Sequence, residues 1–310
     1  MTDILTLTLN PALDIASSTE RVQPTHKLRC GNEQEHPGGG GVNVARVVHR
    51  LGGDCAAIFP AGGFTGELLC RLLDEEGVIA LPVEIAGETR ESFSVRETST
   101  GQQFRFVLAG PTLSQPEWQR CLDRVFTPGM APRYFVASGS LPPGVPDDFY
   151  VRLIHRLKPQ GVKVVLDSSG PALAAALDEG VYLVKPSLRE LRELFRQPLE
   201  TKAQWLGAAT QLVTEGKAQI VVLSLGAGGA WLISAEGRCF APALHVPVLG
   251  SIGAGDSFVG AMVWALSRDL PLRDAFRYGV AAGSAALLSA GTGLCQPQDV
   301  ERLHDEVILV

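Results

Sequence analysis

Short, unbroken apolar runs recur along most of the chain, and nearly all of them stop at glycine or proline. I-L-T-L-T-L (4–9), A-A-I-F-P-A (56–61), Y-F-V-A-S-G (134–139), V-K-V-V-L-D (162–167), Y-L-V-K (182–185) and I-V-V-L-S-L-G (220–226) have this form. Runs this short predict strands buried on both faces, as in a parallel sheet. Between them, helical periodicity predicts helices over 42–51, 66–76, 147–158, 188–196 and 201–215. The β-α alternation predicts an α/β fold with a mostly parallel central sheet and helices on both faces.

Two stretches break this rhythm. Residues 14–36 are polar and irregular, whereas 90–108 alternates as two strands around the turn T-S-T-G. Alternation implies strands with one wet face, unlike the rest of the sheet. A small β-sheet built from about 14–36 and 88–108 is therefore expected to project from the main body, as a lid or a dimer surface. No internal repeat or low-complexity linker marks a second independent domain, so 1–310 reads as one domain.

Charge and composition narrow the partners. The 310 residues are 45% hydrophobic and 19% charged, with a net charge of −6 and no lysine or arginine tract. That balance argues against nucleic acid or an anionic membrane as the main partner. An anionic ligand would have to be met by local basic residues. The N-terminus lacks the pattern of a signal peptide, and no apolar run reaches the roughly 18 residues of a membrane span. Six scattered cysteines without a C-x-x-C pair fit reduced thiols and a cytoplasmic protein. The six histidines have no metal-binding spacing, so no structural transition metal is expected.

Several glycine-rich stretches could carry chemistry. In G-S-I-G-A-G-D-S-F-V-G-A-M (250–262), helical periodicity begins straight after Asp256. Glycines there let the amides of Gly253, Ala254 and Gly255 turn towards one point at the positive end of a helix. Such a hole suits a transferring phosphoryl group, with the carboxylate beside it accepting a hydroxyl proton. The same residues also suit an ordinary N-cap after a flexible turn. In P-G-G-G-G-V-N-V-A-R (37–46), glycines allow close backbone approach, and Asn43 falls in the first turn of the next helix. Asp14 follows the first strand, where it could bind sugar hydroxyls or simply cap a turn. Arg90 and Arg105 on the alternating strands, with Lys27 and Arg29, could meet a phosphate or line a solvated face. S-G-S-L-P-P-G (138–144), V-K-P-S-L-R-E (184–190) and S-L-G-A-G-G-A (224–230) each leave the end of a strand, where α/β ligands usually bind.

Taken in order, T-L-N-P-A-L-D, G-G-G-G-V-N-V-A-R, S-G-S-L-P-P-G, L-V-K-P-S-L-R-E, S-L-G-A-G-G-A and G-A-G-D-S-F-V-G-A-M resemble the ribokinase-like (PfkB) carbohydrate kinase family over essentially the whole chain. Within it the chain looks most like the minor bacterial 6-phosphofructokinase group. The resemblance implies a ribokinase-like fold and ATP-dependent phosphorylation of fructose 6-phosphate at its 1-hydroxyl. It makes Asp256 the base beside the Gly253–Ala254–Gly255 anion hole. It also implies that Asp14, Gly39, Gly40, Asn43 and Gly139 line the sugar site, while Lys27, Arg90 and Arg105 hold the 6-phosphate. Lys185, Ser187, Ser224, Gly226 and Gly229 would meet the nucleotide, with Mg²⁺ near Glu190. The small sheet would be a lid that also forms a homodimer.

Relatives acting on tagatose 6-phosphate or fructose 1-phosphate tend to carry a lysine where this chain has Gly40, and these activities are the alternatives. Two departures stand out. Ser187 replaces the usual asparagine of N-x-x-E, which raises the remoter alternative of a non-catalytic nucleotide or sugar-phosphate sensor. Gly250 replaces a usual aspartate that shapes a monovalent-cation site, which leaves K⁺ activation open.

Overall fold

The computed structural model describes residues 3–127 and 132–310. Among them thirteen strands form two sheets. In chain order they are β1 (Ile4–Leu7), β2 (Ala12–Thr19), β3 (Gly31–Gly38), β4 (Cys55–Ala61), β5 (Ile79–Glu84), β6 (Arg90–Glu97) and β7 (Gln103–Val107). They continue with β8 (Tyr134–Ser138), β9 (Lys163–Asp167), β10 (Val181–Val184), β11 (Ala218–Ser224), β12 (Ala230–Ser234) and β13 (Gly237–Ala241).

The large sheet runs β13-β12-β11-β10-β9-β8-β1-β4-β5. Its strands from β11 to β5 are all parallel, as their apolar runs predict, while β12 and β13 add an antiparallel edge. Successive side chains of a strand point to opposite faces. Accordingly Ile4, Val136 and Val165 join one core with Phe59, Phe258 and Phe276. Leu5, Phe135 and Val164 join a second core with Trp118 and Phe149 on the other face. Fully burying a side chain of this size stabilises the fold by about 1.5–3 kcal/mol, so both helical layers are firmly held.

On the first face the helices Gly40–Arg50 and Ala254–Ser267 pack side by side. Gly260 makes this possible: a Cβ there would lie 2.8 Å from the Cβ of Val47. Asn43 and Asp256 stand one turn earlier on the same two helices, so the close approach also sets their separation.

The small sheet runs β3-β2-β6-β7, with β2 and β6 parallel and the outer pairs antiparallel. It projects from the C-terminal edge of the large sheet, because β2 begins only five residues after β1 ends. The alternating strands expected around T-S-T-G are β6 and β7. The polar stretch 14–36 holds most of β2 and β3, with Lys27, Arg29 and Cys30 on the exposed connection between them.

Candidate active site

Every element of the site comes from the C-terminal edge of the parallel strands or from the small sheet above it. A cavity of about 320 Å³ opens there, lined by Asp14, Asn43, Arg90, Arg105, Asp167 and Asp256 among others. Gly39, Gly40, Gly139, Glu190 and Gly253 also face it. This is the edge where ligands of open α/β sheets bind.

Asp256 occupies the first turn of the helix Ala254–Ser267, behind Gly253 in the left-handed conformation (φ 77°). The first helical hydrogen bond runs from Ser257 N–H to the Gly253 carbonyl at 2.8 Å. The amides of Ala254, Gly255 and Asp256 precede it and so lack carbonyl partners within the helix. Together with the helix dipole they form a positive end suited to an anion. Asn43 Nδ2 donates to Asp256 Oδ2 at 2.8 Å. Burial pushes the Asp256 pKa up, against opposing contributions from that hydrogen bond and from Lys185.

A second carboxylate, Asp167, ends β9 and lines the same cavity. Its Oδ1 lies 3.2 Å from Lys185 Nζ. Burial raises the Asp167 pKa to about 6; Lys185 opposes the rise, while Asp256 and Glu190 add to it. For Lys185, burial acts downwards but the carboxylates outweigh it, so its pKa is raised and it stays charged. Asp167 was not singled out from the sequence. The available signal was a lone carboxylate at the C-terminal end of an otherwise apolar strand.

Asp14 is buried on β2, where Thr292 Oγ1 donates to its Oδ2 at 2.9 Å. Burial raises its pKa, with Thr292, Arg105, Arg46 and Arg90 opposing. The glycine run is used for close approach. A Cβ on Gly40 would meet Ser138 Oγ and lie 2.9 Å from Gly139 N, and Gly39 sits at φ 110°. No side chain can be added at position 40 without moving the end of β8.

The two arginines differ. Arg105 extends from β7 over the cavity and is exposed. Arg90 is half-buried, and its guanidinium donates to the carbonyls of Asn10 (2.9 Å), Pro11 (3.3 Å) and Leu108 (2.7 Å). It ties the small sheet to the large one as well as facing the cavity. Lys27 does not join them within the chain. The register sets Arg90 beside Ala12, at the base of β2, whereas Lys27 lies beyond Thr19 at the far tip.

Among the nucleotide candidates, Ser187 and Glu190 form a capping box. Ser187 Oγ accepts from Glu190 N–H at 3.2 Å, and Glu190 Oε2 accepts from Ser187 N–H at 2.8 Å. Glu190 faces the cavity, but Ser187 does not line it. Ser224 bridges to Ser187 at the end of β11, and Gly226 and Gly229 follow in the next turn. Lys185, Ser224, Gly226 and Gly229, like Ala254 and Gly255, border the cavity's neighbourhood without lining it. A Cβ on Gly255 would come 3.3 Å from Lys185 Nζ, so the two segments are in contact.

The model of the pfkB family carbohydrate kinases matches residues 7–299. The chain belongs to that family. An ATP-dependent 6-phosphofructokinase isozyme 2 of Mycobacterium tuberculosis is 45% identical over 302 residues, covering 97% of this chain and 89% of the relative. A 1-phosphofructokinase of Bacillus subtilis is 33% identical over 98% of both chains. Crystal structures of phosphofructokinase-2 from Escherichia coli, in complex with fructose-6-phosphate and with potassium, match with TM-scores of 0.91 and 0.93. Their identities are 41% and 42%, each covering 99% of both chains. This pfkB-family kinase thus shares its fold with a structure in complex with fructose-6-phosphate.

Proposed function

We propose that this pfkB-family kinase is an ATP-dependent 6-phosphofructokinase that transfers the γ-phosphoryl group of ATP to the 1-hydroxyl of fructose 6-phosphate. The observation that carries this reading is the half-buried Asp256, held by Asn43 at the amide-rich start of a helix inside a polar cavity. The greater identity to relatives named 6-phosphofructokinase than to those named 1-phosphofructokinase supports the choice of sugar. Gly40, packed against Ser138 and Gly139, supports it further by leaving no room for the lysine of those other relatives.

In this reading Asp14 and Asn43 orient the sugar hydroxyls, and Arg105 and Arg90 meet the 6-phosphate. The 1-hydroxyl oxygen bonds to the γ-phosphorus as the bond to the β,γ-bridging oxygen breaks. Asp256 takes the hydroxyl proton, and ADP leaves with the bridging oxygen. The amides of Gly253, Ala254 and Gly255 hold the negative charge on the transferring group. Lys185, kept charged by Asp167, meets the nucleotide phosphates near Ser187, Ser224, Gly226 and Gly229.

The donor set fits a Mg²⁺ that arrives with the nucleotide. No cluster of three metal-ligating side chains occurs among the described residues. Mg²⁺ commonly keeps waters and takes one or two carboxylates plus phosphates, a part that Glu190 and Asp167 can fill. When bound, the ion neutralises charge on the phosphates. For K⁺, the fit lies at Gly250, whose Cβ position faces the carbonyls of Ser289 (2.9 Å) and Gly291 (3.4 Å). Carbonyls rather than a side chain would form such a site here.

The small sheet serves as a lid, and its outer strand supplies a homodimer surface. Phe106, Val107 and Leu108 are each at least half exposed on or beside this edge strand, and an apolar edge invites pairing. The E. coli phosphofructokinase-2 also has a structure described as a tetrameric inhibited form.

The test is ADP release with Mg-ATP, with and without K⁺, offering fructose 6-phosphate, tagatose 6-phosphate, fructose 1-phosphate and fructose in parallel. A clear preference for fructose 6-phosphate is expected. Preference for another sugar overturns the substrate assignment, and no turnover with any of them favours a sensor.

A further inference from the structure

Behind the cavity lies a charged side chain with no access to it. Arg46 is fully buried on the helix Gly40–Arg50, one turn below Asn43. Its Nε and Nη2 are paired with Glu76, at 2.9 and 2.6 Å. Arg50 adds a second contact to the same carboxylate at 3.3 Å. The remaining nitrogen, Nη1, faces the site. It donates to Asn43 Oδ1 (3.2 Å), to the carbonyl of Pro37 at the head of the glycine run (2.8 Å) and to the carbonyl of Thr292 (3.4 Å).

Two of these three acceptors belong to residues that support the site carboxylates. Asn43 donates to Asp256, and Thr292 donates to Asp14. An asparagine amide has one accepting and one donating end. With Arg46 on Oδ1, only Nδ2 can face Asp256; a flipped amide would set its NH₂ against the guanidinium and its carbonyl against the carboxylate. Glu76 fixes the guanidinium in turn through a bidentate pair, the geometry in which arginine is least interchangeable with lysine.

We propose that Arg46, clamped by Glu76, is a positioning residue that sets the amide orientation of Asn43 and the seat of Thr292, and so aims Asp256 and Asp14 at the substrate. This rests on the reading of Asp256 as the base. The effect on Asp256 passes through Asn43 and falls on turnover. The effect on Asp14 passes through Thr292 and falls on sugar binding.

The experiment compares Arg46→Lys, Asn43→Ala and the double variant, reading kcat, KM for the sugar phosphate and the thermal midpoint. Arg46→Lys keeps a charge for Glu76 but cannot hold the fork. Its expected loss in kcat is about ten-fold or more, the scale of a misplaced acid–base group, with a folded protein of unchanged nucleotide affinity. In the Asn43→Ala background the same substitution should change kcat by less than about two-fold, because both act through one hydrogen bond. If the kcat losses multiply instead, or if Arg46→Lys turns over like the wild type, the inference is wrong. Should Arg46→Lys fail to fold, Arg46→Met with Glu76→Leu removes both charges, an exchange that cores often tolerate. The same non-additive loss is then required. Asp256→Asn, run alongside, keeps the two readings apart. If it retains turnover the base assignment fails, whereas an inactive Asp256→Asn beside an unaffected Arg46→Lys overturns only the role of Arg46.

Discussion

Asn43 Nδ2 reaches Asp256 Oδ2 at 2.8 Å across 213 residues of sequence, and the contact between Val47 and Gly260 one turn along sets that distance. A methyl group at Gly260 would lie 2.8 Å from Val47 Cβ and 3.2 Å from the Val44 carbonyl. Gly260→Ala is therefore expected to push the helices apart, at about 1–3 kcal/mol of stability, and to lower kcat by lengthening the Asn43–Asp256 bond. Thermal melts and steady-state kinetics on the same preparation check this. Wild-type values for both would mean that the helices have slack.

Arg90 has two attachments to lose. Its guanidinium satisfies the carbonyls of Asn10, Pro11 and Leu108 and also faces the cavity. Arg90→Ala should raise KM for the sugar phosphate and destabilise the fold by about 1–3 kcal/mol, since partly buried acceptors lose a charged donor. Urea midpoints read the second effect. A rise in KM alone would show that water replaces the guanidinium freely.

Ser187 stands where the family resemblance implies an asparagine, yet it caps the helix Leu188–Phe195. Asparagine caps as well as serine, whereas alanine loses about 0.5–2 kcal/mol. Ser187→Asn should leave stability within about 0.5 kcal/mol of wild type, and Ser187→Ala should not. Any change in KM for ATP on Ser187→Asn then reports on the nucleotide and not on the cap. Equal destabilisation by both substitutions would contradict the capping account.

Asp167 carries a pH dependence. Burial raises its pKa from 3.8 to about 6, so across this window the folded state binds more protons than the unfolded one. The stabilisation from this group is fully present below about pH 4 and is lost as pH rises through 6. Relative to wild type, Asp167→Asn should gain up to about 3 kcal/mol between pH 4 and pH 7. Denaturant midpoints of both proteins at pH 4, 5, 6 and 7 measure the trend. A difference that is flat across this range would mean that Asp167 titrates normally.

The parts of this molecule that could be read from the sequence are those in which local pattern and final environment agree. β4, β8, β9, β10 and β11 are buried on both faces and read as apolar runs. β3, G-N-E-Q-E-H-P-G, lies largely exposed at the edge of the small sheet, and nothing in its composition marks a strand. β5 and β13 escaped for related reasons: they are the edge strands of the large sheet, where burial is partial and a proline such as Pro82 is tolerated. Asp14, Asn43 and Asp256 stood out because glycines or a strand end lie beside them. Arg46, Glu76 and Thr292 did not, since their importance comes from partners 30 to 278 positions away. An arginine inside an apolar helix reads as surface until its carboxylate is found.

The most direct test of the account is the turnover of fructose 6-phosphate by Asp256→Asn, measured with binding of ATP and sugar phosphate to the same preparation. The amide keeps the shape of the side chain and removes its capacity to accept a proton. Both ligands should bind with near wild-type affinity, while kcat falls by about 10²-fold or more. Turnover close to wild type would contradict it and remove Asp256 from the chemistry.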